Sequence, residues 1–249
     1  MNKIIFYAAG HSPAMEHAIT YLEERGVDFA ELPSQQVTHL LLGVPTKMDA
    51  GAVEQLLSQV SPNVTVIGGN LTMPIPARNA TIDLLLDETY LAENADITAD
   101  CAIRIAGAAL PRVFAGCQIL IIGWGRIGKC LAQRLKAMGA DVTVAARKES
   151  DRAILRALGY KTEVPHRLYH SLVRYRVIFN TAPSEVLTQA QTAHCRSDCI
   201  KIDLASVQGI MDHGVIRARG LPGQHAPESS GQLIARSILR LLQEREVLI

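Results

Sequence analysis

Six consecutive residues carry the densest chemical signal in the chain: Gly123-Trp124-Gly125-Arg126-Ile127-Gly128. The spacing is G-x-G-x-x-G, and its surroundings give it meaning. An apolar run from Cys117 to Ile122 precedes it, a helical stretch from Lys129 to Met138 follows and stops at Gly139, and Asp141 to Ala146 reads as the next strand. In a strand–turn–helix unit the first glycine makes the turn tight. The second lets the backbone approach a pyrophosphate, and the third lets helix and strand pack closely. The helix start adds unpaired N–H groups and partial positive charge. The expected chemistry is dinucleotide binding by residues Gly123, Trp124, Gly125, Arg126, Ile127 and Gly128. The plain competing reading is a glycine turn needed only for packing.

The end of the following strand selects the dinucleotide. A carboxylate about 20 residues past the glycines bonds the ribose hydroxyls in NAD sites. Here Ala146 is followed by Arg147 and Lys148, 19 and 20 residues past Gly128, and the first carboxylate is Glu149. Two cations suit a 2′-phosphate, so the expected cofactor is NADP, with Arg147 bonding it in a bidentate way. Arg152 is a weaker candidate, and a solvated basic turn is the bland alternative. Other strand ends should reach the same crevice. They bring Asn180, Thr181 and Pro183, then Asp203 and Ser206, as further cofactor contacts. The Gly220–Gly231 loop delivers a helix start at which Ser229 and Ser230 suit a substrate carboxylate. For proton transfer the candidates are His225, in the crevice loop, then His11, with Asp203 at the crevice edge. Asn94, Thr98 and Asp100 are candidate substrate contacts on a bridging helix, where solvated polar residues are the default.

These residues need elements to hold them. Residues 3–9 read as a strand, and Ser12-Pro13 as the cap of a helix running to about Gly26. Strands follow at 37–44 and 64–67 around a helix at 51–60, and Gly68-Gly69-Asn70 reads as a loop with unusual backbone angles. One or two helices cover 83–110. Six more strands are expected at 117–123, 140–146, 160–164, 176–181, 199–205 and 215–220, with a last helix from about Ser229. Strands alternating with helices predict parallel sheets. The fold class is α/β: a C-terminal doubly wound Rossmann domain plus a smaller N-terminal flavodoxin-like α/β domain, the last helix returning toward the first domain. The expected domains are 1–92, for substrate or capping, and 93–249, for NADP.

Charge divides at the same place. Residues 1–92 hold 4 Lys/Arg and 10 Asp/Glu, net −6, whereas 93–249 hold 21 and 14, net +7. The basic half suits an anionic small molecule. With aromatics at 4% and no basic run interleaved with them, a nucleic-acid stacking platform is not expected. No apolar run is long enough to span a membrane. An odd count of five cysteines suggests reduced thiols and a cytoplasmic setting. His194, Cys195 and Cys199 lie close together but lack a second ligand cluster, so no metal site is expected.

Together these blocks resemble the family of the dipicolinate synthase A-type subunit. The similar stretches are Asn94 to Ile103, Gly123 to Gly128, Ala146-Arg147, Asn180-Thr181-Ala182-Pro183-Ser184, Ile202-Asp203-Leu204-Ala205-Ser206 and Gly220 to Gly231. They cover most of residues 93–240. The resemblance implies a fold like the formate/glycerate dehydrogenase group and NADP-linked oxidation of dihydrodipicolinate, a small dianion, to dipicolinate. It also implies a second, flavoprotein-like dipicolinate synthase subunit, the B-type, as partner; a homo-oligomer, in the simplest case a dimer, is expected. This chain departs from the family pattern at Asp100-Cys101, at Gln208-Gly209-Ile210 and at Glu228, where the family has Lys. Two alternatives stay open: a non-catalytic NADP-binding regulatory or assembly subunit, and a 2-hydroxy-acid dehydrogenase. The latter is disfavoured because Asp203-Leu204-Ala205-Ser206 lacks the expected Arg.

Overall fold

The computed structural model describes residues 4–247, so Lys3, the first residue of the strand read at 3–9, lies outside the described residues. The chain divides into two compact units, residues 1–94 with 222–249, and residues 95–221. The C-terminal segment thus groups with the first unit, in keeping with the expected return of the last helix toward the first domain, although the expected domain bounds run the second domain from 93 to 249.

In the first unit, β1 (Ile5–Ala8), β2 (Asp28–Phe29), β3 (His39–Leu41), β4 (Thr65–Gly68) and β5 (Thr81–Asp83) form one parallel sheet. Its order, β2-β1-β3-β4-β5, is the flavodoxin-like one expected. Strands β2 and β5 are two and three residues long, too short for any pattern to reveal them. Helix α1 (Pro13–Glu23) starts as the sequence indicated: the Ser12 hydroxyl accepts from Met15 N at 3.2 Å and proline opens the first turn. Helix α2 (Ala50–Gln59) is capped by Asp49, which accepts from Ala52 N at 2.8 Å. In the loop after β4 the positive φ, +59°, falls on Asn70. The Asp83 carboxylate holds it there, accepting from Asn70 N and Leu71 N at 2.9 and 2.8 Å. Val37, Leu40, Leu42, Val53, Val64 and Val66 form the core between sheet and helix.

Helix α3 (Glu88–Ala109) is a single helix where one or two were expected, entered through a 3-10 turn at Leu84–Leu86. The second unit holds β6 (Gln118–Ile122), α4 (Arg126–Ala137), β7 (Asp141–Ala145), α5 (Glu149–Ala157), β8 (Lys161–Glu163), β9 (Val177–Asn180), α6 (Gln189–Thr192), β10 (Ile200–Asp203) and β11 (Val215–Arg217). Six parallel strands run in the order β11-β10-β9-β6-β7-β8, the doubly wound Rossmann arrangement. Central β6 is covered on both faces, which explains its unbroken Ile119-Leu120-Ile121-Ile122 run.

The chain ends with α7 (Leu221–His225) and α8 (Pro227–Val247). Helix α8 begins two residues before the expected Ser229 because Pro227 presets the first helical φ. It packs tightly on α1. A Cβ on Gly231 would lie 2.4 Å from the Ala14 carbonyl oxygen and 2.8 Å from Ala18 N, closer than side chains tolerate. No helix among the described residues is long and apolar enough to cross a membrane.

The Gly231 contact generates a test. Gly231→Ala should cost about 1–3 kcal/mol, since backbone must move to admit the methyl. Gly223→Ala, where a Cβ meets nothing within 4 Å, should stay within about 0.5 kcal/mol of the parent in denaturant unfolding.

Candidate dinucleotide site

The glycine loop is built by exclusion of side chains. Gly123 sits at φ +110° with its N–H on the Ala145 carbonyl at 2.9 Å. A Cβ there would be 2.4 Å from Thr181 Oγ1, and one on Gly128 would be 2.4 Å from the Gly123 carbonyl oxygen. Thr181 Oγ1 in turn donates to the Ile122 carbonyl at 3.1 Å. Loop, helix α4 and the exit of β9 are therefore locked together through two missing side chains. Gly125 is the opposite case: a Cβ on it would meet nothing within 4 Å. It is the N-cap of α4 and offers no side-chain cap, so the helix start keeps its N–H groups for something else.

That open space belongs to a cavity of about 530 Å³ in the second unit. Of the sequence-derived cofactor residues, Gly123, Trp124, Gly125, Arg147, Lys148, Thr181 and Pro183 line it. The size and the uncapped helix start fit a dinucleotide segment, with pyrophosphate at Gly125. The Trp124 ring is partly buried, edge-on to Tyr160 at 6.1 Å between centroids. Arg147 and Lys148 are exposed, and neither side chain has a hydrogen bond or ion pair among the described residues. The first carboxylate after this pair is tied down, whereas Asp151, which lines the cavity, has no such partner among the described residues. Glu149 takes Arg156 Nη2 at 2.7 Å and Arg152 Nη2 at 2.6 Å, and these two arginines hold its carboxyl below the usual carboxylate range. Arg152, a weaker phosphate candidate by sequence, is committed elsewhere. Its Nη1 donates to the Ala146 and Arg147 carbonyls at 2.5 and 2.7 Å, which fixes the turn presenting Arg147.

Other sequence candidates are placed differently. Gly128 is buried behind the loop, and Arg126 and Ile127 are not among the residues lining the cavity. Asn180 and Asp203 are buried beneath the sheet edge. Asn180 turns the chain, its Oδ1 accepting from Ala182 N at 3.0 Å. Asp203 accepts from Asn180 Nδ2 and Ala205 N at 3.1 Å, Gly209 N at 2.7 Å, Ile210 N at 3.0 Å and Arg217 Nη1 at 2.9 Å. Five donors saturate this carboxylate, so it positions β9, β10 and the 205–210 loop and has no lone pair for a proton in transit. Ser206 is exposed and outside the cavity lining. Thr98 is buried, and Asp100 is held by Arg104 at 3.1 Å and Arg134 at 3.8 Å. The structure therefore uses Asp100 in an ion-pair network on α3 and α4.

His11, His225, Ser229, Ser230 and Asn94 all belong to the first unit. His11 and His225 are exposed and make no side-chain hydrogen bond among the described residues. Ser229 is exposed and Ser230 buried in the first turn of α8. The sequence pattern does not single out Pro165 and His166 after β8, or Ser184 to Thr188 with Gln191 on the β9 side, all of which belong to this part of the cavity wall except Leu187, which is buried behind it. The rule that strand C-termini face the crevice applies to β8 as well, and it is the one signal available for Pro165 and His166.

Residues 104–197 match the family model of the NAD binding domain of D-isomer specific 2-hydroxyacid dehydrogenases. The A-type subunit of dipicolinate synthase from Bacillus subtilis (strain 168) is 25% identical over 255 residues, spanning 92% of this chain and 85% of that protein. The crystal structure of the dipicolinate synthase A chain from Bacillus subtilis matches with a TM-score of 0.81 at 21% identity, covering 100% of this chain and 99% of that one. The corresponding crystal structure from Bacillus halodurans gives 0.78 at 21% identity, covering 97% and 98%. The resemblance read from the sequence blocks thus extends over nearly the whole chain. The second unit has the fold of a nicotinamide-dinucleotide-binding domain of dehydrogenase type.

Asp203→Ala should destabilise the protein by about 3–5 kcal/mol, because it orphans buried N–H groups and the Arg217 charge together. Chemical denaturation reads the loss; a change below about 1 kcal/mol would remove Asp203 as the anchor of this sheet edge.

Proposed function

We propose that this chain is an NADP-dependent oxidoreductase that converts dihydrodipicolinate to dipicolinate, working beside a second, flavoprotein-like subunit. The observation that carries the cofactor half is the free pair Arg147 and Lys148 at the cavity, with Glu149 locked between Arg152 and Arg156. Those two cations suit a 2′-phosphate, and Glu149 is held from the ribose hydroxyls it would need for NAD. The uncapped start of α4 receives the pyrophosphate. Bound NADP supplies the hydride acceptor, and the protein contributes position and charge.

The substrate half rests on the similarity to the A-type subunit of dipicolinate synthase. Dihydrodipicolinate loses a hydride and a proton on becoming an aromatic pyridine dicarboxylate. We assign His225 as the proton acceptor, with His11 as the second candidate; Ser229, Ser230 and the N–H groups opening α8 are assigned to a substrate carboxylate. Asn94 and Thr98 remain proposed substrate contacts on α3. The protein is proposed to act as a homo-oligomer in the cytoplasm.

A second reading has its own observation. Glu228, where the family has Lys, sits in the first turn of α8 and accepts from Gln232 Nε2 at 3.3 Å, which places negative charge near the assigned carboxylate site. On that reading the chain binds NADP without turnover of its own. The family match over 104–197 makes 2-hydroxy acids the control substrates.

The test is steady-state assay with freshly generated dihydrodipicolinate and NADP, with and without a partner flavoprotein, against a panel of 2-hydroxy acids. We expect turnover of the dihydropyridine, and His225→Gln should lower it by about 10²–10⁴-fold. NADPH binding without any turnover would establish the regulatory reading. Unchanged turnover of His225→Gln with intact NADP binding would clear this histidine of a role.

A further inference from the structure

Two carboxylates line the dinucleotide cavity, Glu185 in the loop after β9 and Asp151 on the β7 side. Asp151 belongs with the two cations: it lies three residues after Lys148 and four after Arg147, in the first turn of α5, and it is half-buried. Its side chain makes no hydrogen bond or ion pair among the described residues, and neither do those of Arg147 and Lys148. Local geometry explains why these three stay apart. Side chains two residues apart on a helix point about 200° apart and do not face each other. Glu149, two residues before Asp151, takes Arg152 Nη2 at 2.6 Å and Arg156 Nη2 at 2.7 Å, so the arginines of α5 are committed to it. Lys148 is the N-cap of α5 and is extended, at φ −76° and ψ 134°. The chain has therefore left the helical path on which Lys148 and Arg147 would stack against Asp151.

The β7 side of the cavity thus carries two cations and a carboxylate that do not neutralise one another. The two dinucleotides meet this wall differently. A 2′-phosphate is drawn to Arg147 and Lys148 and repelled by Asp151. A 2′-hydroxyl has no charge for the cations to attract, but it is a donor that a carboxylate accepts, as the ribose does in NAD sites. Asp151 also has a plain structural use. An acidic side chain in the first turn complements the positive helix start and steadies α5. That use affects stability and gives no preference between the dinucleotides.

We propose that Asp151 is a specificity-determining residue of the cofactor site, which opposes the 2′-phosphate of NADP and accepts from the 2′-hydroxyl of NAD. It sets an upper limit on the preference that Arg147 and Lys148 give to NADP. The inference rests on the reading of this cavity as a dinucleotide site with the 2′ position at the β7 end. Removing the charge of Asp151 while keeping its shape sharpens the preference for NADP.

The test titrates the full-length parent, Asp151→Asn and Asp151→Glu with NADPH and with NADH at low salt, read by Trp124 fluorescence. Asparagine has the same shape, and Asp151 has no side-chain partner to lose, so the substitution leaves the fold intact. Asp151→Asn should raise the ratio of NADPH to NADH affinity at least about 5-fold over the parent, through tighter NADPH and no gain for NADH. The increase should shrink at about 0.5 M salt, where exposed charges are screened. Asp151→Glu keeps the charge and should stay within about 2-fold of the parent's ratio. An unchanged ratio in Asp151→Asn, an equal shift for both dinucleotides, or the same shift in Asp151→Glu would overturn the proposal. The parent's own ratio tests Arg147 and Lys148, whereas only the change on substitution tests Asp151. Binding of neither dinucleotide would overturn both this inference and the cofactor reading beneath it.

Discussion

Everything at the dinucleotide site depends on one steric constraint: nothing larger than hydrogen fits at Gly123 and Gly128. The Gly123 carbonyl occupies the volume that a Gly128 side chain would need, and Thr181 occupies that of Gly123. Interiors are packed like crystals, so such contacts do not yield smoothly to an added methyl. Their consequence is geometric. With the loop pressed onto β9 and α4, Gly125 is left facing open space with an uncapped helix start. A packing rule thereby becomes a ligand site, and the third glycine serves the first two.

Charge at the site is set mainly by what is already paired. Many cations of the basic second unit are held in ion pairs: Arg134 with Asp96, Lys161 with Asp141, Arg176 and Arg196 with Asp198, Lys201 with Asp212, and Arg217 with Asp203. Where such pairs are exposed they contribute only about 0–1 kcal/mol each to stability. Their larger effect is on which charges remain. Around the cavity, Arg152 and Arg156 neutralise Glu149 and leave Arg147 and Lys148 uncommitted. The net +7 of residues 93–249 is therefore a poor measure of the field at the cavity, whose wall carries Arg147 and Lys148 together with Asp151 and Glu185.

The cofactor loop is legible in the sequence because its requirement is local: three glycines at fixed spacing between a buried strand and a helix. Both strand orders are also within reach, since alternating strands and helices leave few parallel topologies. The role of Asp203 is not legible because it depends on donors brought from Asn180, Gly209 and Arg217, and a residue at a strand end carries no mark of saturation. Arg152 misleads for the same reason, its partners being carbonyls five and six residues back. Strands β2 and β5 are too short to show any period, and while the return of the last helix is expected from the sequence, its close packing on α1 at Gly231 is not.

Trp124, the single tryptophan, stands in the glycine loop and reports directly on whatever binds there. Parallel fluorescence titrations of NADPH and NADH therefore test the central claim. Two uncommitted cations facing a 2′-phosphate should make NADPH bind at least about 10-fold more tightly, a difference of about 1.4 kcal/mol. Equal affinities, or tighter NADH binding, would contradict the assignment of Arg147 and Lys148 as the phosphate-binding pair.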